Sequence, residues 1–240
     1  MTFALAAGAA VVAAASFVQG LAGFGIGLVS LAFLPFLVSP TDAVVLMTLY
    51  ATLFCGVILM PLRRDFQLAG VDMLVVGSVL GTPLGVWVLA TVSAALLARL
   101  IGLALVLIVA LEWSGRSPQR LPGRAWGLAA GVLSGVVGGA VGTPGPPAIV
   151  YMAAQGWSAR TIKANLQAFL VVNQLAILVG YWWAGLLTRE VWRLAAMFAL
   201  PALAGLLAGM RLFDRVDAVK FRRIVFAILL ASGVALLLRG

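Results

Sequence analysis

Two groups of residues in this chain could hold a solute. The first is Gln19-Gly20-x-x-Gly23-Phe24-Gly25-x-Gly27. The second is Ser134-x-x-x-Gly138-Gly139-x-x-Gly142-Thr143-Pro144-Gly145, followed by Pro146 and Pro147. Glycine lets a backbone approach a ligand closely, and three prolines so near one another rule out a regular helix. A helix restarting after such a break points its N-terminus at the gap, and that end carries partial positive charge suited to an anion. Ser134 and Thr143 add hydroxyls. Asn173 and Gln174 sit in the middle of an apolar segment, where polar side chains are costly, and read as substrate or hairpin contacts. Asn165 and Gln167 lie nearer its start, and Thr48, Tyr50 and Thr52 occupy the related first-half segment.

Covalent and metal chemistry find little here. The chain has no histidine and one cysteine, Cys55, so Ser/His/Asp and Cys/His sets, zinc sites and haem ligation are not expected. Paired carboxylates and phosphate-binding loop motifs are absent from the sequence, which predicts a non-enzyme without a cofactor. Asp72, a turn into an apolar segment, is the one candidate for carrying a coupling proton or sodium ion; at interface depth such a residue is more often just solvated. The net charge of +9 is spread through short loops and does not form a basic domain, so no nucleic-acid partner is expected.

The elements that must position these residues are transmembrane helices. The chain is 64% hydrophobic and 10% charged, against about 25% charged in soluble domains. Apolar stretches are continuous rather than alternating, which excludes a β-barrel. The expected segments are 3–19, 24–38, 43–60, 68–90 and 95–111, then 126–141, 145–156, 164–183, 191–210 and 221–238. Residues 3–38 hold no charge; as a single helix they would run about 54 Å, well beyond a hydrocarbon core of roughly 30 Å. Each glycine-rich run is therefore expected to fold back on itself. The N-terminal stretch lacks the basic start of a signal peptide, the first basic residue being Arg63, and reads as a mature helix.

Charge chooses between a hairpin and a kinked span. Were each broken run one kinked span, the 16 basic residues would split 8 to 8 between the two sides. With hairpins, Arg63, Arg64, Arg116, Arg120, Arg124, Arg160, Lys163, Arg211, Arg215, Lys220, Arg222 and Arg223 share one side, a 12 to 4 split that follows the positive-inside pattern. The basic side is then cytoplasmic and both termini face outward. The expected fold is an all-α polytopic membrane protein with two inverted-topology repeats, each a glycine-broken hairpin plus three transmembrane helices. The first repeat covers 1–112, a basic linker 113–124, and the second repeat 125–240. An offset of 115 sets Gly20, Gly23 and Gly27 on Gly135, Gly138 and Gly142; an offset of 124 sets Gly81, Gly85 and Arg99 on Gly205, Gly209 and Arg223. Gly81/Gly85, Gly205/Gly209 and the row Gly127, Gly131, Gly135 and Gly139 read as close helix packing. For Gly23, Gly25 and Gly27, packing and ligand contact both stand.

At its two breaks the chain resembles the sulfite exporter TauE/SafE family of membrane transporters, also called the four-toluene sulfonate uptake permease family. The residues carrying the resemblance are Gly20-x-x-Gly23-Phe24-Gly25-x-Gly27 with Pro35, and Gly135-x-x-Gly138-Gly139-x-x-Gly142-x-x-Gly145-Pro146. It covers essentially the whole chain, with departures at Ala140-Val141 and Asn165. The resemblance implies transport of small anions (sulfite, sulfonates or related organic anions) across a bacterial inner membrane, with substrate held at the glycine-rich hairpins. The expected function is a secondary transporter of small anions, an exporter by family analogy, working by alternating access in the lipid bilayer with a proton or sodium ion as the candidate coupling ion. A homodimer is compatible with this reading. The alternatives are a passive anion channel and a membrane subunit of a larger complex.

Overall fold

A computed structural model describes residues 2–67, 70–114, 123–212 and 218–239. Arg116, Arg120, Asp214, Arg215, Asp217 and most of the expected linker lie outside the described residues. Among the described residues there is no strand. The helices are α1 (Thr2–Ala22), α2 (Ile26–Phe33, prolonged by a 3-10 turn, Leu34–Phe36), α3 (Pro40–Leu62), α4 (Asp72–Thr91), α5 (Ala94–Trp113), α6 (Arg124–Val141), α7 (Gly145–Ala153), α8 (Ala159–Trp183), α9 (Arg189–Leu212) and α10 (Ala218–Arg239). Each expected segment has its helix, in order.

Local chemistry sets several of the ends. The Ser39 hydroxyl accepts from the Asp42 N–H at 3.0 Å and caps α3, and Ser158 does the same for Thr161 of α8 at 3.1 Å. Among the described residues, six helices (α1, α3, α4, α6, α8 and α9) are long and apolar enough to cross a membrane. The chain is a multi-pass membrane protein. The apolar stretches of α5 and α10 are shorter, Ala94–Ala110 and Val225–Leu238. α2 and α7 have 8 and 9 residues, about 12–14 Å at 1.5 Å per residue, and neither can span by itself.

Two compact units emerge, and each draws on both halves of the sequence. The first comprises Met1–Tyr50, Val92–Gly115 and Leu187–Gly240; the second comprises Ala51–Thr91 and Arg116–Leu186.

In the first unit, α1 packs along α9 and α5 along α10, with α2 against α1. Glycines make the α1–α9 seam: a methyl group at Gly205 would collide with the Ala13 carbonyl, at Gly209 with that of Phe17, and at Gly20 with that of Leu206. The order of these contacts makes the two helices parallel. Without a hydrophobic force between helices in lipid, such backbone-to-backbone approach is what holds them. The Tyr50 hydroxyl donates to the Ala195 carbonyl at 2.6 Å, tying α3 to α9.

In the second unit, α4 and α6 form the equivalent parallel seam. Gly77, Gly81 and Gly85 face Gly131, Gly135 and Gly139, and a methyl group at any of the six would strike backbone of the opposite helix. α8 packs on α4, α6 and α7. The packing expected of these glycines is therefore what they do, and Gly20, read as a ligand contact, joins them.

One end of the second unit gathers the starts of α4, α6 and α8. Arg124 Nη2 meets Asp72 Oδ2 at 3.0 Å, and Arg160 Nε meets Asp65 Oδ2 at 2.8 Å. The Gln67 N–H donates to Asn165 Oδ1 at 2.9 Å. The Tyr151 hydroxyl donates to the Gly70 carbonyl at 3.0 Å, and a methyl group at Gly127 would lie 3.0 Å from that same hydroxyl. Tyr151 ends α7 while Gly127 begins α6. The α6–α7 pair thus returns to the end it left, as a hairpin rather than a kinked span.

Candidate functional site

The break between α6 and α7 is built by Gly142. It closes α6 with φ 66°, a left-handed conformation that favours glycine, and its N–H donates to the Gly138 carbonyl at 2.8 Å. Pro144 then opens α7, followed by Gly145, Pro146 and Pro147. Proline at the start of a helix costs nothing there, because those N–H groups have no partner within the helix. It also has a chemical consequence. Pro144, Pro146 and Pro147 carry no N–H, so Gly145 supplies the only backbone donor among residues 144–147. The half-helix offers less to an anion than its position alone suggests, and side chains must supply most of the donors.

Those side chains are present. Ser134, Thr143, Asn173 and Gln174 are all buried, at 0, 6, 0 and 3% exposure. Among the described residues, neither the Oδ1 nor the Nδ2 of Asn173 has a hydrogen-bond partner, nor do Ser134 Oγ, Thr143 Oγ1 or Gln174 Oε1. Leaving one buried polar group unpaired costs about 1–3 kcal/mol, so a group of them calls for a physical reason. Gly138 brings two of the elements together. A methyl group there would lie 2.8 Å from Pro144 Cβ, 2.9 Å from Ile177 Cδ1 and 3.2 Å from Asn173 Oδ1. Gly138 is thus the space that lets the Asn173 amide and the Pro144 turn approach α6. Ser134 lies one helical turn before Gly138, on the same face. Tyr181 fixes the position of the tip: its hydroxyl donates at 2.8 Å to the carbonyl of Gly139, one of the α6 carbonyls left over at the helix end. From Gly127 to Val141 the helix rises about 21 Å.

The break in the first unit also ends its first helix on a left-handed glycine, but it differs in how the next helix opens and in its filling. Gly23, φ 83°, closes α1, and its N–H donates to the Gln19 carbonyl at 2.7 Å. Gly25, φ 113°, opens α2. The Gln19 side chain spans the gap: Nε2 donates to the Gly23 carbonyl at 3.3 Å, and Oε1 accepts from the Ile26 N–H at 3.1 Å. Gln19 therefore stitches its own hairpin. Phe24 is half-buried, Gly27 is buried within α2, and the hydroxyls of Ser16 and Ser30 are buried without partners among the described residues.

The geometry also corrects the register between the halves. Gly23 pairs with Gly142, Ala22 with Val141, Ile26 with Gly145, and Gly20 with Gly139, all 119 residues apart, as from 23 to 142. The offset of 115 was one helical turn short. Gly81 and Gly85, 124 residues before Gly205 and Gly209, meet α6 as those two meet α1. The two hairpins share the left-handed glycine that ends the first helix, whereas the next helix opens at Gly25, φ 113°, in one and at Pro144, φ −72°, in the other.

A family model covers nearly all of this: that for sulfite exporter TauE/SafE matches residues 8–236. The chain belongs to the sulfite exporter TauE/SafE family. Neither a curated protein nor a solved structure matches it significantly. As a member of that family the chain is a membrane transporter.

Among the described residues no group of three His, Cys, Asp or Glu side chains is placed to hold a metal ion. Asp72 is paired to Arg124 at the start of α4, and both side chains are substantially exposed. The 18 residues of α6 separate Arg124 from the break by about 27 Å. Of the residues singled out by sequence, the second unit brings together Gly138, Pro144 and Asn173, with Ser134, Thr143 and Gln174 buried on the same three elements. Sequence reasoning missed Tyr181, whose place in a tryptophan-rich helix end gave no sign of a capping role.

Proposed function

We propose that the chain is a secondary transporter that moves small anions of the sulfite and sulfonate type by alternating access, outward by family analogy, and that the α6–α7 break with Asn173 is where the anion is held. One observation carries this: a fully buried amide, Asn173, with neither polar atom bonded, set against Gly138 and the Pro144 turn. An oxyanion would accept from the Asn173 Nδ2 group and from the hydroxyls of Thr143 and Ser134. A protonated oxygen on the same anion would find Asn173 Oδ1 as its acceptor. No cation sits in this set, so the anion would be held by dipoles alone. That suits a carrier, which must bind well enough to load and weakly enough to release.

The left-handed glycine that ends the first helix of each hairpin supports an internal duplication. Broken helices near the midplane and inverted repeats go together in secondary transporters. The starts of α4, α6 and α8 share one end of the second unit, in keeping with a basic, cytoplasmic face there.

The test is anion flux in proteoliposomes holding the purified chain. Saturable, trans-stimulated sulfite exchange that falls at least tenfold in Asn173→Leu is expected. Flux that never saturates would replace the carrier with a channel. Full exchange in Asn173→Leu would remove the site from this break.

A further inference from the structure

At the basic end of the second unit, outside the α6–α7 break, lies a pocket of about 510 Å³ lined by Met60, Pro61, Arg63, Arg64, Asp65 and Arg160. Three guanidinium groups face one carboxylate there. That carboxylate is already engaged by Arg160 Nε at 2.8 Å. Among the described residues no carboxylate lies within 4 Å of Arg63 or Arg64, and both are exposed. The pocket therefore has two uncommitted cations on a short loop, with a third held still beside them by Asp65. Planar guanidinium forks match the oxygens of a phosphate group.

A second observation says what such a phosphate is attached to. Leu53, Val57 and Met60 of α3 are exposed at 64, 38 and 69%. Their spacing of four and three residues puts them on one helix face. The stripe descends that face toward the arginines: Met60 itself lines the pocket, and Arg64 follows one turn later. An apolar track ending at a basic pocket fits a molecule with an acyl tail and an anionic head. Basic pockets beside membrane helices are where such headgroups settle.

We infer that this pocket binds the phosphate headgroup of an anionic phospholipid, whose acyl chain lies along Leu53, Val57 and Met60. Arg63 and Arg64 hold the phosphate, and Arg160, oriented by Asp65, completes the cradle. The lipid would sit where α3 ends, a few residues before Gln67 and Gly70, which bond α8 and α7. Binding there would brace the basic end of the unit.

The full chain, purified in neutral detergent, tests this through thermal unfolding with three probes: short-chain phosphatidylglycerol, short-chain phosphatidylcholine and inorganic phosphate. Phosphatidylglycerol at saturation is expected to raise the midpoint by roughly 5 °C, with little response to the other two. The double substitution Arg63→Gln and Arg64→Gln touches exposed side chains only; it should keep the lipid-free midpoint and lose the response. Leu53→Ser with Met60→Ser should weaken the response to the lipid. An equal response to inorganic phosphate would overturn the lipid as occupant in favour of a soluble anion. A phosphatidylglycerol response that survives the arginine substitutions, or is matched by phosphatidylcholine, would overturn the site.

Discussion

Gly23 and Gly142 do the same work 119 positions apart: each ends a helix in the left-handed conformation, at φ 83° and 66°, and each donates its N–H to the carbonyl four residues back, at 2.7 and 2.8 Å. Any other residue there pays about 1–2 kcal/mol in backbone strain. Gly142→Ala should lower the unfolding midpoint measurably. Gly145→Ala is the matched control, since only Ile149 Cδ1, at 3.9 Å, lies near a methyl group at that position. Equal midpoints for the two variants would contradict the role given to Gly142.

Gln19 and Asn173 are both buried amides at breaks, and they should respond oppositely. Gln19 bonds the Gly23 carbonyl and the Ile26 N–H. Gln19→Leu strands those groups and should cost about 1–3 kcal/mol of stability. Asn173 has no such bonds. Asn173→Leu should leave the midpoint unchanged or raised while abolishing most anion flux. Loss of stability in Asn173→Leu comparable to that in Gln19→Leu would show that its amide is structural.

Helix seams closed on glycine leave no room for a side chain. A methyl group at Gly135 would run into the Ser78 carbonyl. Gly135→Val should separate α4 from α6 and prevent recovery of folded protein, an effect beyond the 1–3 kcal/mol typical of overpacking. Gly56→Ala, with nothing within 4 Å of the added methyl, should behave as the parent. Size-exclusion profiles after detergent extraction would separate the two.

The Asp72–Arg124 pair is exposed on both sides, at 38 and 75% of the side chain. Pairs of this kind contribute about 0–1 kcal/mol. Asp72→Asn should therefore change stability little. The ion pair accounts for Asp72 as it stands, so the variant is also expected to keep whatever proton or sodium dependence the transport shows. Flux that loses its gradient dependence in Asp72→Asn would make this carboxylate the coupling group.

Much of the fold was legible because membrane helices announce themselves by the absence of charge. The breaks were legible for a related reason: uncharged runs too long for one crossing, interrupted by Gly and Pro. The register between the halves was not. Gly131, Gly135 and Gly139 recur every four residues, so an alignment can slip a turn and still match glycine to glycine. Only the sign of φ distinguishes a glycine that packs, such as Gly135, from one that turns the chain, such as Gly142. The roles of Gln19 and Asn173 were equally hidden, because one residue type can satisfy its own backbone or stand unpaired. The three prolines marked the second break from the start, and their missing N–H groups were there to be counted.

The seams also bear on how the chain reaches its native state. The glycine seam of α1 closes on α9, and that of α6 on α4, so neither half of the sequence completes these seams from its own helices. A newly inserted α1 must wait in the bilayer with its glycine face uncovered until residues 189–212 have left the ribosome. Cutting the gene at the linker should give two fragments that are each degraded when made alone, yet rescue one another when made together.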